Sequence, residues 1–339
     1  MSMAARCDQR SRLLGVAVCL LALPGLGGCS IRQQVLRETG EVLEEGMVAL
    51  NAEQDYLFVR EAMPGNLKTL EILLAADPEN PSLLLLGAQG FAAYSYLVLE
   101  DELDLADAAA DGARVAELKL RAAGFYTRAA GYALRRLGSP ALQQALDGAD
   151  LDALRQAVAK VPAEQAPALF WLVFAYASRI NLDQSNPARI AELPKAEILL
   201  ERTLALDGKY WHGLPLLMAG VFHAGRPPMF GGDAARGRGF FEQGIAVSQG
   251  KFLLGPFLLA RFYAIQAQDR DLFCQQLNAL ADADLDLLPE QGLMNSVSRR
   301  WALRWRDRVG GLFEGGEGSC VPAAPPASTT EEDDGILLQ

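Results

Sequence analysis

Histidine is almost missing from this chain. Among 339 residues there are two, His212 and His223, which leaves little for a histidine-based metal site and few candidates for a general base. No GxSxG elbow, P-loop, HExxH or CxxC pair occurs, so none of the common nucleophile, phosphate or zinc motifs is present. "GRG" at 237–239 follows no strand and is not a dinucleotide fingerprint. A basic excess is also lacking. The net charge of −11 argues against nucleic acid, which calls for a basic face. Alternating runs of Val, Ile and Thr are scarce, which excludes a sheet protein. These absences predict no catalytic residue, no metal and no enzyme. The chain is long enough to bury about 75% of its unfolded surface without staples.

The N-terminus reads as an address. Arg6, Arg10 and Arg12 precede an apolar run, 13–23, that is too short for a stable membrane span. "LGGC" follows, ending at Cys29. This order resembles the signal of exported bacterial lipoproteins and implies that residues 1–28 are removed and Cys29 carries a covalent lipid, the only cofactor expected. Several acyl chains on one cysteine anchor a protein durably, whereas one does not. Ser30, rather than Asp, next to the cysteine favours the outer membrane, with the protein facing the periplasm. In that oxidising compartment Cys274 and Cys320 could pair. The stronger reading leaves them unpaired, Cys274 on an apolar helix face and Cys320 in a tail, and the pairing stays open.

What the chain has in abundance is helical pattern. Residues 29–50 read as a linker and first helix, 51–313 as one all-helical domain, and 314–339 as a disordered polar tail. "LKTLEILLA" (67–75) repeats apolar residues at spacings of three and four, and "DPENP" (77–81) stops it. The uncharged run 82–99 touches the length of a membrane helix, but Gln89, Ser95 and two tyrosines make it a core helix. Residues 101–112 and 138–150 read as connections. "RWALRWRDR" (300–308) reads as a last helix with Trp301 and Trp305 packed inward and its arginines in water. Three joints align: Asp77 falls on Asp207 and Gly90 on Gly220, with 244–263 a third version. The expected fold is therefore all-α, built of divergent tetratricopeptide-like helical hairpins in an α-solenoid-like stack with a groove.

The sharpest interruption is "GRPPMFGGDAARGRGFFEQGI", 225–245. Pro227 and Pro228 force the chain out of helix, Gly231 and Gly232 permit unusual backbone angles, and Asp233 can cap the next helix. The break re-aims one hairpin against the next and leaves Arg226 and Phe230 at a rim. Around it, large rings sit beside small residues. Trp171, Phe174, Tyr176, Trp211, His212 and Phe222 are candidates for a cleft that takes an apolar organic anion or a partner, with Arg226 supplying a planar fork for a carboxylate. Each ring could equally be core filling.

Seven blocks in order, from "LKTLEILLAADPENPSLLLLGAQGFAAYSYLVLEDE" through "HGLPLLMAGVFHAGRPPMFGGDAARGRGFFEQGI" to "NSVSRRWALRWRDRVGGLF" (295–313), resemble the TatT family of tetratricopeptide-repeat lipoproteins associated with TRAP transporters. The resemblance covers about 40–313. It implies a periplasmic accessory protein, often a homotrimer, with apolar clefts, that engages the transporter's solute-binding protein and helps pass ligand onward. Gly237, Gly239 and Gly244 depart from the family pattern, where helix formers are commoner, and should weaken that helix. The alternative is a repeat scaffold for envelope or outer-membrane assembly with no ligand.

Overall fold

The computed structural model describes residues 24–314 and 319–320, with side chains from residue 34 onward. Most of the leader segment, 1–23, therefore lies outside the described residues, as do 315–318 and 321–339. At Cys29 only the helical backbone is described.

Among the described residues every regular element is a helix. The longer α-helices, in chain order and leaving out the single turn Pro187–Ile190, are α1 (Pro24–Ala52), α2 (Tyr56–Ala76), α3 (Pro81–Tyr94), α4 (Glu100–Ala108), α5 (Gly112–Leu137), α6 (Pro140–Asp147) and α7 (Leu151–Ala159). Then come α8 (Ala166–Leu182), α9 (Leu193–Asp207), α10 (Tyr210–Ala224), α11 (Ala234–Val247), α12 (Leu254–Leu258), α13 (Arg270–Ala281) and α14 (Gly292–Trp305). Short polar side chains set the starts. Asp55, Asn80, Asp111, Ser139, Asp150 and Asp269 each accept a hydrogen bond from a backbone N–H in the first turn of the helix they precede. Such a cap is worth about 1 kcal/mol.

Two expected connections are in fact helical. Residues 101–112 mostly belong to α4, which continues α3 through a π-helical turn, Ser95–Leu99. Their acidic residues looked solvated, but Asp101 and Asp104 both pair with Arg304 of α14, and Asp104 also with Arg308 just beyond it. Residues 138–150 contain α6, started by the Ser139 cap and Pro140. The three joints aligned in sequence are built differently. The first uses the Asn80 cap, the second three successive positive φ angles at Trp211, His212 and Gly213, the third a left-handed Gly250.

The run from Pro81 to Ala108 is long and apolar enough to cross a membrane, but 72% of its most apolar window is buried inside the fold. Around it α5 packs on α3 and α8, α9 on α8, α10 on α11, and α13 on α14. The last helix then returns to the beginning. α14 packs against α1 and α2, and the Ser296 hydroxyl donates to the Gln54 carbonyl at 2.7 Å. The chain closes on itself, where an open stack of repeats would leave its ends apart.

The closure is fastened at Asp101, which is 3% exposed. It accepts hydrogen bonds from Trp301 Nε1 at 2.8 Å, Arg304 at 2.7 Å and the Tyr56 hydroxyl at 3.3 Å. Trp301 packs inward as expected, but Arg304 does not stay in water: it bridges Asp101 and Asp104 inside the fold. Cys274 and Cys320 form a disulfide. Cys320 is buried and its N–H donates to the Arg306 carbonyl, so at Ser319–Cys320 the expected loose tail is held against the body.

Candidate functional site

The site is positioned by the α10–α11 hairpin. Ring and backbone lie so close there that side chains have no room. A Cβ at Gly220 would stand 2.5 Å from the Phe241 ring, and one at Gly237 would stand 2.5 Å from the backbone nitrogen of Ala224. Two of the three glycines that seemed to weaken α11, Gly237 and Gly244, thus let it lie against α10, whereas Gly239 faces open space. Beyond α10 the prolines turn the chain out, and at Gly232 a Cβ would collide with the Arg226 carbonyl. Asp233 caps α11, accepting from Arg236 N at 2.9 Å. The result is a loop that stands over the end of α10, with Met229 82% and Phe230 50% exposed.

Beneath it lies an apolar chamber of about 300 Å³. Its walls come from α8 (Phe174, Ala177), α10 (Met218, Val221, Phe222) and a second π-helical turn, Leu259–Ala264, that continues α12. A second, polar chamber of about 470 Å³ adjoins it between α4, α5 and α14. The two share a wall: Tyr96, Glu100, Asn181, Gln184, Arg261 and Phe262 line both. Four of these six are on or immediately beside the two π-helical turns, an arrangement that recurs at functional sites.

The charges in these walls are unusual. Arg226 donates through Nε to the Phe222 carbonyl at 2.6 Å, and its guanidinium lies 3.8 Å from the Phe222 ring centroid. Burial pulls its pKa below the ordinary guanidinium value. Arg261 rests 4.7 Å from the Trp305 ring centroid and 5.3 Å from that of Phe262. Among the described residues neither arginine has an ion-pair partner. Glu100 accepts a hydrogen bond from the Tyr126 hydroxyl. Burial pushes its carboxyl up to about 7, against the opposing pull of Tyr126 and Arg261. About half of this half-buried acid is therefore neutral near pH 7.

The structure brings Phe174, Phe222 and Arg226 together in the apolar chamber. Trp171 and Trp211 stand behind it. Trp171 packs on Phe174 at 5.5 Å and on Trp211 at 5.6 Å, and Trp211 Nε1 donates to Gln291 at 2.9 Å. Tyr176 and His212 lie elsewhere. Tyr176 has its pKa pushed up to about 12, chiefly by burial and then by Glu192, while His212 packs against Phe252 with its pKa lowered by burial. Glu100 and Arg261 had no sequence signal. Glu100 ended an apolar run, and Arg261 looked like one arginine in a helix.

The family model for the TRAP transporter T-component matches residues 52–313. The chain belongs to the TRAP transporter T-component family. No curated protein matches it. The match runs from just before α2 to beyond α14 and contains every residue of both chambers of this T-component. Cys29 and residues 314–339 lie outside it. Family membership makes the protein an accessory component of a TRAP transporter and places it in the cell envelope.

Proposed function

We propose that this T-component is a binding module that engages the solute-binding protein of its TRAP system and holds or passes an apolar organic acid. The observation that carries the reading is an apolar chamber with guanidinium groups in its wall and no carboxylate paired to them among the described residues. An apolar wall with few convergent polar groups is the usual form of a small-molecule site. Phe174 and Phe222 contact the ligand body, Arg226 draws the anion at the mouth, and Trp171 and Trp211 act through Phe174. The solute-binding protein docks at the same mouth, where Met229 and Phe230 are exposed. In this reading the protein is a homotrimer, anchored by lipid on Cys29 in the outer membrane and facing the periplasm.

Native mass spectrometry of the gently purified protein tests it. Small organic acids should co-purify, and Met218→Trp, which fills the chamber, should remove them with helix content intact. Arg226→Glu should weaken capture of the cognate solute-binding protein at least tenfold. Labelling with a palmitate analogue should be lost in Cys29→Ser. An empty protein that retrieves outer-membrane assembly factors instead would favour the scaffold reading.

A further inference from the structure

Glu100 is the one acidic side chain, among the described residues, in the wall of the apolar chamber, and it also faces the polar one. Arg261 does the same. Neither residue's arrangement is explained by holding the fold. Arg261 makes no hydrogen bond or ion pair among the described residues. Its guanidinium is held by ring contact, which leaves its N–H donors free. Glu100 uses one oxygen, Oε1, to accept from Tyr126, and no donor among the described residues reaches Oε2. Both residues stand at or beside π-helical turns, and both line each of the two chambers.

We propose that Arg261 and Glu100 together form the seat of the ligand's carboxylate, Arg261 donating to it and Glu100 holding a proton that it donates through Oε2. Two ionised carboxylates do not share a confined apolar site, so binding is coupled to protonation of Glu100. The inference rests on the organic-acid reading above and adds a second, deeper anchor behind Arg226. The ligand class is a monocarboxylate with an apolar body. At roughly 30 Å³ per water-sized group, the apolar chamber of about 300 Å³ takes on the order of ten non-hydrogen atoms, the size of an eight-carbon straight-chain acid.

The other groups around Glu100 leave it as the proton carrier: Tyr96, in the same wall, is held protonated by burial. α5 contributes Tyr126, whose hydroxyl burial holds well above its ordinary pKa, so it stays a donor. α5 also contributes Lys119, exposed at the edge of the polar chamber. From its own helix come Asp101 and Asp104, both ion-paired to α14, and the exposed Asp107. α14 brings Arg304, already engaged by those two aspartates. α8 and the turn after it present the neutral Ser178, Asn181 and Gln184. Burial holds the Glu100 carboxyl near 7, so the proton is available close to neutrality.

The test is calorimetric titration of octanoate and 1-octanol into the full chain in lipid nanodiscs, with empty nanodiscs subtracted, at about pH 6 and about pH 8. Octanoate is ionised at both. Wild type should bind it roughly tenfold more weakly at the higher pH, since about one Glu100 in ten then holds its proton. Octanol binding should not change. Glu100→Gln, a permanent donor, should bind octanoate equally at both pH values. Arg261→Gln should lose octanoate at least tenfold and keep octanol. Octanoate affinity that is independent of pH in wild type, or that keeps its pH dependence in Glu100→Gln, overturns the proposal. Octanol binding without octanoate binding overturns the seat alone. No binding of either ligand removes the organic-acid reading and the seat with it.

Discussion

Glu100 carries a stability consequence independent of any ligand. Its folded pKa, about 7, lies above the ordinary carboxylate value it has when unfolded. The folded chain therefore holds this proton more tightly than the unfolded one. The resulting stability is complete below the ordinary carboxylate range and is lost as pH rises to about 7. Glu100→Gln has no such proton to lose. Denaturant unfolding should show the variant gaining on wild type by about 3 kcal/mol between acid and mildly alkaline pH. A constant difference across that range would mean the carboxyl is not held neutral. Arg226, Phe222 and Phe174 were legible because they stand among rings beside an obvious break. Glu100 and Arg261 were not. A π-helical turn inserts a residue and shifts the register, so the period of 3.6 read from the sequence assigns the residues beyond the turn to the wrong face.

At the scale of elements, α10 and α11 decide how tightly the chamber is built. Gly237 and Gly239 sit two residues apart in the same helix, and propensity treats them alike. Packing separates them. A Cβ at Gly237 would stand 2.5 Å from the α10 backbone, whereas one at Gly239 would meet nothing within 4 Å. Gly239→Ala should stabilise the protein by up to about 1 kcal/mol through helix propensity. Gly237→Ala should destabilise it by about 1–3 kcal/mol through overpacking. Chemical denaturation of the two variants checks this, and equal signs would show that the hairpin yields. Helix starts and stops were readable because caps and prolines are local chemistry, as at Asp233 and Asn80. Residues 101–112 misled because their acidic side chains find partners about two hundred residues away.

At the scale of the molecule, the closure by α14 dominates. Asp101 is held from both ends of the chain by Tyr56, Trp301 and Arg304. Removing one partner of a buried ionic cluster leaves the others uncompensated, so Asp101→Ala should cost about 3 kcal/mol. Arg304→Met, which removes the cation, should also destabilise, and the double variant should cost less than the sum of the two. Additive costs in that double-mutant cycle would show that the pair is not coupled. The disulfide Cys274–Cys320 works in the same region. Its loop of 46 residues encloses α14, and closing a loop of that length restricts the unfolded chain by about 4 kcal/mol.

The closed outline has a further consequence, for how the chain is made. An open solenoid can fold from its first repeat onward and tolerates loss of its last. Here the aspartate in the first third waits for a tryptophan 200 residues downstream. A chain emerging N-terminus first therefore carries an unfinished core until nearly its whole length is available. A copy cut short before α14 is an open shell with its inner face exposed, a substrate for envelope proteases rather than a smaller version of the protein.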